Sequence, residues 1–302
     1  MKTPLFSIII LTYNKFEYLN DILKKVFSQT YSNIELILSD DFSEEFPMSG
    51  IQKMLEGKTE NIKNVIIRKN NKNLGTVKNF NEALRVASGE YIYGMSQDDE
   101  LNDENVILDL VNFFMTNNCL IATGYRDIFD EDLKKFKYRL PKADDLKQIN
   151  NDPITLYKFL CKDNFISGSC TVYSKKLIEK YGYFNEDYFL YEDYPKYLSI
   201  TRQGVKIFFI ERVLIKYRTG GLTSPIQKKP NSNLLRDLAL TIRNEILRYN
   251  MFHSNREIRE FEKKIFWIKC RIAKEEPGPL RIFFFLLFNM HRLIRFFKRK
   301  FI

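Results

Sequence analysis

Apolar and polar positions change rhythm along the first hundred residues. Leu5–Leu11 (LFSIIIL) is an unbroken apolar run, the signature of a strand covered on both faces. Apolar residues then recur at helical spacing (Leu19, Ile22, Leu23, Val26, Phe27), and Asn14 with Glu17 three residues on is placed as an N-cap signal. Ile34–Leu38 and Val65–Ile67 predict further strands, Gly75–Ala87 a helix ending at Ser88-Gly89, and Tyr91–Met95 a fourth strand. Strand and helix alternating at this interval predict an α/β fold: a Rossmann-like, doubly wound and mostly parallel sheet flanked by helices. Ligands of such sheets bind beyond the carboxyl ends of the strands, which singles out the loops at Thr12–Asn14, Asp40–Ser43 and Gln97–Glu100.

Farther on, the pattern predicts a helix over Val106–Met115 and a strand over Ile121–Tyr125. Asp127–Asp152 is charged and weakly periodic, and is expected to be an insertion or loop. A helix at Pro153–Cys161, a strand-like Phe165–Tyr173, a helix at Glu192–Arg202 and a strand pair at Val205–Glu211 and Val213–Tyr217 follow. Gly220-Gly221 and Pro225…Pro230 mark a linker. Beyond it come helices at Leu234–Tyr249 and Asn255–Lys274, and after Pro277-Gly278-Pro279 a last stretch from Leu280. The organisation expected is one catalytic-type domain over 1–224, with a nucleotide-binding half at about 1–100 and an acceptor half at about 101–224. A helical appendage occupies 225–302.

Charge changes this picture only in the appendage. The net charge is +10, and Ser232–Ile302 holds 16 Lys/Arg against 7 Asp/Glu, leaving 32 against 31 in the rest. A basic tail on a neutral body points to an anionic surface met by the tail. From Leu280 the chain runs LRIFFFLLFNMHRLIRFFKRKFI, apolar and aromatic with six Lys/Arg and no acid. Arg292 and Arg295 interrupt it, so lying in a membrane interface is expected rather than crossing. Packing on the protein's own domain or on a second copy, as a homodimer, is the alternative. The four cysteines lack CxxC spacing, and no signal-peptide pattern opens the chain. A cytoplasmic protein, peripheral at the inner face of the plasma membrane, is expected.

Three acidic clusters fall where chemistry is expected. Asp40-Asp41 follows the second strand; a carboxylate there can accept the imino hydrogen of a pyrimidine while Tyr13 stacks on the ring, or it can simply cap a turn. Asp98-Asp99-Glu100 follows the fourth strand and offers oxygen ligands of the kind Mg²⁺ or Mn²⁺ takes alongside substrate phosphates. Glu192-Asp193 opens a helix after Tyr188-Phe189-Leu190-Tyr191, where aromatic walls can raise a carboxyl pKa as a general base requires; helix-dipole complementarity is the alternative.

Taken in order, Phe6–Asn14, Ser28-Gln29-Thr30-Tyr31, Ile34–Asp41, Asn73-Leu74-Gly75 with Lys78-Asn79, and Ser88–Ile92 leading to Asp98-Asp99 resemble glycosyltransferase family 2 over roughly Pro4–Ser224. The resemblance implies a GT-A fold and an inverting, metal-dependent transfer from a nucleotide-diphosphate sugar, with uridine as the base, to an acceptor hydroxyl. A lipid-linked saccharide of surface polysaccharide synthesis is the acceptor implied. It places Thr12, Tyr13, Asn14, Asp41, Lys78 and Asp98 around the nucleotide sugar, Asp99 on Mn²⁺ or Mg²⁺, Asp193 as base and Glu192 beside it. Three positions depart from the family pattern: Phe42 where Gly is common, Ser96-Gln97 where a further acid is common, and Thr219-Gly220-Gly221 where many members carry a His. Two competing classes are a nucleotidyltransferase and a non-catalytic basic module. The first lacks its Gly-rich phosphate loop after the first strand. The second sits poorly with both acid pairs being present, and no nucleic-acid partner is expected.

Overall fold

The computed structural model describes residues 3–219 and 231–275. The chain divides into two units, Met1–Gln227 and Lys228–Ile302.

The first unit is built on one nine-stranded sheet. Its opening half alternates β1 (Phe6–Thr12), α1 (Leu19–Phe27), β2 (Ile34–Asp40), α2 (Met48–Leu55), β3 (Ile62–Lys69), α3 (Thr76–Val86) and β4 (Tyr91–Ser96). These four strands pair in parallel in the order β3-β2-β1-β4. Strands β1 and β2 bury nearly every residue, which is why they are spelled as continuous apolar runs. Register aligns Thr12 with Asp40 and Leu11 with Ser39 and Ser96, so three strands end together on one edge.

Beyond β4 the sheet is mixed. The elements are β5 (Glu100–Leu101), α4 (Val106–Asn117), β6 (Ile121–Phe129), β7 (Phe136–Leu140), α5 (Ala143–Ile149), α6 (Pro153–Lys162), β8 (Thr171–Ser174), α7 (Lys175–Tyr181), α8 (Asp193–Arg202) and β9 (Phe208–Arg218). Strand β8 is antiparallel to both β4 and β6; β6 runs parallel to β9, while β7 is antiparallel to β6 and β5 to β9.

Several expectations are corrected. Asp127–Asp152 is not a structureless insertion: β6 continues to Phe129, and the β6–β7 hairpin and α5 follow. Its charges mark a solvent-facing edge strand, exposed along nearly its whole length. The strand pair at 205–217 is one continuous strand, β9. Most of the strand-like stretch 165–173 is irregular or a 3₁₀ turn, Gly168–Cys170, with strand only from Thr171. Asn14 does not cap α1, which begins at Leu19; it adopts a left-handed φ of 54° in the turn after β1. Two further short helices, α2 and α7, lie outside the elements expected from the sequence.

The second unit contains α9 (Ser232–Thr241), a π turn at Ile242–Ile246, a 3₁₀ stretch at Leu247–Phe252 and α10 (Asn255–Glu275), with α9 packed on α10. The helix expected at Leu234–Tyr249 therefore stops short. Asn231 caps α9 through its side chain, which accepts from Asn233 N at 2.9 Å. The basic aromatic stretch from Leu280 lies outside the described residues, as does the linker at 220–230. Among the described residues no helix is long and apolar enough to cross a membrane.

Candidate active site

The strand ends place the first two acidic clusters side by side. Asp40 is fully buried and turns inward: it accepts from Thr12 Oγ1 at 3.0 Å and from the Ser43 amide at 2.8 Å. Thr12, itself buried, spends its hydroxyl there. Asp41 organises the loop before α3. Its Oδ1 accepts from Asn70 Nδ2 at 2.9 Å and Leu74 N at 2.8 Å, and its Oδ2 accepts from Gly75 N at 2.8 Å. Beneath it lies a polar lattice in which Asn79 Oδ1 accepts from Asn70 at 3.0 Å, and Arg68 donates to Ser39 Oγ at 2.6 Å and to Asn70 Oδ1 at 2.8 Å.

Tyr13 stands 45% exposed at this edge, its backbone held on both sides by one side chain. Gln97 Oε1 accepts from Tyr13 N at 3.0 Å, and Gln97 Nε2 donates to Tyr13 O at 3.2 Å. The amide at the position where an acid is common thus braces the exposed ring. Asn14 N donates to Ser43 Oγ at 2.8 Å and Asn14 Oδ1 accepts from Glu44 N at 3.1 Å, tying the first loop to the second. Phe42 keeps a left-handed backbone, φ 70°, with its ring 47% exposed. That is the conformation a glycine adopts without cost, so the turn carries the strain of a side chain there. Lys78 is partly exposed in the first turn of α3, and its charge acts on Glu186.

Asp99 is the most unusual group of the site. It is 1% exposed, and neither carboxylate oxygen has a hydrogen-bond partner among the described residues. Burial, and then the neighbouring Asp98, push its pKa well above the carboxylate range, while Arg126 and Arg218 pull it back. Asp98 is less buried and accepts a short hydrogen bond from Ser96 Oγ. The loop is clamped from β9 by Arg218. Its Nε donates to Asp98 O at 3.1 Å, its Nη1 to Glu131 O at 2.9 Å and its Nη2 to the Glu100 carboxylate at 2.5 Å, over the Tyr18 ring at 4.0 Å. No group of three or more His, Cys, Asp or Glu capable of holding a metal occurs among the described residues. What fits a hard divalent ion is narrower: the two unpartnered oxygens of the single Asp99 carboxyl group, the kind of ligand such an ion takes alongside substrate phosphates and water.

The third cluster reaches the same region through Arg126 of β6. The Arg126 charge acts on both Asp99 and Asp193, and its guanidinium donates to Ser167 Oγ at 2.7 Å and stacks on Tyr217 at 5.0 Å. Asp193 Oδ2 accepts from Gly168 N at 2.9 Å, and Oδ1 accepts from Tyr194 N at 2.6 Å. Part of its surface stays open to solvent, yet the protein packed around it raises its pKa, against the pull of those two amides and of Arg126. Glu192 faces the same 3₁₀ turn: a Cβ on Gly168 would lie 2.8 Å from Glu192 Oε1 and 3.2 Å from Asp193 Cβ. Gly168 is therefore what lets the two acids close on the turn.

Sequence reasoning located the acid clusters and marked Gln97 as a departure from the family pattern, but gave no role to Arg126, Arg218 or Gly168. Arg126 lies within β6 beside Asp127, and Arg218 ends β9 after Arg212 and Lys216, so neither stands out in the sequence.

The profile described as "Glycosyl transferase family 2" matches residues 7–182, more than half the chain. A Haemophilus influenzae protein named as an uncharacterized glycosyltransferase is 28% identical over 72% of this chain and 66% of its own length. A Campylobacter jejuni relative, named GalNAc(5)-diNAcBac-PP-undecaprenol beta-1,3-glucosyltransferase, is 27% identical over 71% of this chain and 65% of its own. The chain thus spans just under two thirds of these relatives, and about one third of a Rickettsia felis relative. Among solved structures, the mannosyltransferase PcManGT of Pyrobaculum calidifontis, in complex with GDP-Man and Mn²⁺, aligns with a TM-score of 0.60 at 14% identity, over 97% of this chain and 81% of that one. S. aureus TarS 1-349 in complex with UDP-GlcNAc aligns at 0.58 and 16% identity, over 88% and 72%. These likenesses show the GT-A fold, and with more than half its length matched by the family profile, the chain belongs to glycosyl transferase family 2.

Proposed function

We propose that the protein is an inverting glycosyltransferase that moves a sugar from a uridine-diphosphate donor to a hydroxyl of a lipid-linked saccharide. The observation that carries this reading is the pairing through Arg126 of a buried, unpartnered carboxylate, Asp99, with a second carboxylate of raised pKa, Asp193. Tyr13 supplies a face for the base and Asp41 its acceptor oxygen, with Thr12 and Asn14 shaping the loop around them. Lys78 and Asp98 stand toward the phosphates and ribose. Asp99 would hold Mn²⁺ or Mg²⁺, whose contribution when bound is to neutralise charge on the departing diphosphate.

Asp193 takes the proton of the acceptor hydroxyl as that oxygen bonds to the anomeric carbon, while the bond from that carbon to the diphosphate breaks. One displacement inverts the anomeric centre. Glu192, on the same turn, contacts the acceptor. The uridine donor and the lipid-linked acceptor are supported by relatives and neighbours whose names carry them. The stretch from Leu280 would hold the enzyme at the inner face of the membrane, and a truncation at Pro279 losing vesicle binding but not donor binding would show it. The deciding test is calorimetry of UDP with and without Mn²⁺: binding should require the metal and be lost in Asp99→Asn. Equal affinity in EDTA would refute the assignment.

A further inference from the structure

One peptide unit of the turn that meets Asp193 is fixed at both ends. The amide of the Ser167–Gly168 peptide donates to Asp193 Oδ2 at 2.9 Å. The carbonyl of the same unit, Ser167 O, accepts from Thr171 Oγ1 at 2.8 Å and from Cys170 N at 3.2 Å. A peptide is planar, so whatever holds its carbonyl also aims its N–H. Thr171 is fully buried at the start of β8, and its hydroxyl accepts in turn from Tyr197 Oη at 2.7 Å. Tyr197 lies one helical turn after Asp193 on α8 and is also fully buried. Helix α8 therefore grips the turn twice, through Asp193 at the amide and through Tyr197 behind the carbonyl.

The direction of donation along this chain follows from proton number, since each hydroxyl has one hydrogen. Thr171 gives its own to a carbonyl, which cannot donate back, so Tyr197 must be the donor to Thr171. Tyr197 keeps acceptor capacity, which faces the Tyr173 hydroxyl at 3.4 Å. Burial holds the phenols of Tyr173 and Tyr197 well above the ordinary tyrosine pKa, so both retain the proton that the chain needs. The donors thus all point towards Asp193, an arrangement in which each bond strengthens the next. Two further side chains pin the turn: Arg126 donates to Ser167 Oγ at 2.7 Å, and Tyr93 Oη donates to Ser169 O at 2.7 Å. The other ionisable groups about Asp193 are Glu192 and Tyr194 on its own helix, Tyr173 on β8 and Arg126 on β6.

We propose that Tyr197 and Thr171 are positioning residues for Asp193, their hydroxyl chain holding the Ser167–Gly168 peptide so that its amide stays on the Asp193 carboxylate. The inference rests on the reading of Asp193 as base and adds what fixes its orientation and its ionisation. An amide donated to a carboxylate favours the charged form, so a peptide free to swing away would leave Asp193 easier to protonate.

The test is a carboxyl ¹³C NMR titration of the full chain labelled at aspartate, with the Asp193 resonance identified by its loss in Asp193→Asn. Tyr197→Phe removes one oxygen and keeps the ring. It should move the Asp193 titration upward by up to about half a unit, the scale of roughly 10–30% per link in a hydrogen-bonded chain. Thr171→Val, close in shape, breaks the bond to the peptide itself and should move it upward by about one unit or more, tenfold in the proton equilibrium. Thr171→Ser keeps the hydroxyl and should titrate close to wild type. In each variant the acid limb of turnover should move with the titration, while Mn²⁺-dependent UDP affinity stays at the wild-type value. If Tyr197→Phe and Thr171→Val melt lower yet titrate as wild type, the two residues are ordinary core and the proposal is refuted. It also falls if Thr171→Ser shifts as far as Thr171→Val, since the methyl group and not the hydroxyl would then matter. If the titrations move as expected but Asp193→Asn keeps wild-type turnover, the chain stands and the base reading fails.

Discussion

Asp99→Asn should make the metal-free protein more stable while abolishing its response to donor. Both oxygens of Asp99 are buried and unpartnered, so at neutral pH any ionised fraction carries a desolvation cost of several kcal/mol, relieved in part by Arg126 and Arg218. An unsatisfied neutral amide in the same place costs about 1–3 kcal/mol. The difference, about 1–3 kcal/mol, corresponds to a rise in Tm of roughly 2–10 °C for a chain of this size. The sign with pH follows from the direction of the shift. The folded state holds the Asp99 proton more tightly than the unfolded chain, so wild-type protein gains stability as pH falls through the folded pKa. The advantage of the variant should be largest at high pH and shrink as pH falls. Thermal melts in EDTA across pH 6–9 read this directly. Repeated with Mn²⁺ and UDP at about 100 times Kd, wild type should gain about 2.7 kcal/mol and the variant nothing. A variant that melts below wild type in EDTA and still responds to Mn²⁺ with UDP would refute both the strain and the ligand role.

Asp193→Asn should keep UDP binding and lower turnover on the order of 10²-fold or more, while Glu192→Gln acts mainly on acceptor KM; the reverse split would exchange their roles. Because the Asp193 pKa is raised, turnover should fall on the acid side above the ordinary carboxylate range, and a limb below it would count against Asp193 as base. Gly168→Ala should depress turnover without touching UDP affinity, since its methyl would strike Glu192 and Asp193; steady-state kinetics beside calorimetry would show the split. Arg218→Ala strands the largely buried Glu100 carboxylate, 12% exposed, and should cost about 3 kcal/mol by denaturant unfolding, a value near zero being inconsistent with the clamp.

The sheet was legible where one period held for a whole element. β1 and β2, buried on both faces, announce themselves as apolar runs, and α1 by its spacing. Legibility failed where tertiary context sets the structure. β7 is an edge strand whose residues face water, so nothing in its composition separates it from a loop. β9 contains Glu211 and Arg212 in mid-strand, and Arg212 pairs with Asp103 at 2.5 Å and Asp109 at 2.8 Å; the charges looked like a turn only because those partners are about a hundred residues away. The acid clusters were visible because they follow strands at short range. Arg126, which acts on two of them, was not, since its role exists only once β6 lies across from the 3₁₀ turn at Gly168–Cys170.

The loop ahead of α8 is fastened to α3 by more than shape. Asn81 exchanges hydrogen bonds with the Phe184 backbone at 2.8 and 3.0 Å, Arg85 pairs with Glu186 at 2.9 Å, and Val77 N donates to Phe189 O at 3.3 Å. Gly75, at φ 82°, leaves no room for a Cβ, which would sit 2.5 Å from the Phe189 ring and carbonyl. Recombination between relatives therefore has a hidden constraint. A chimaera cut between α3 and this loop brings together two surfaces selected apart, and the helix bearing Asp193 would lose its seat. Exchange of acceptor preference by swapping the later segment should succeed only when Gly75, Asn81 and Arg85 travel with it, so the unit of inheritance at this site is discontinuous in sequence.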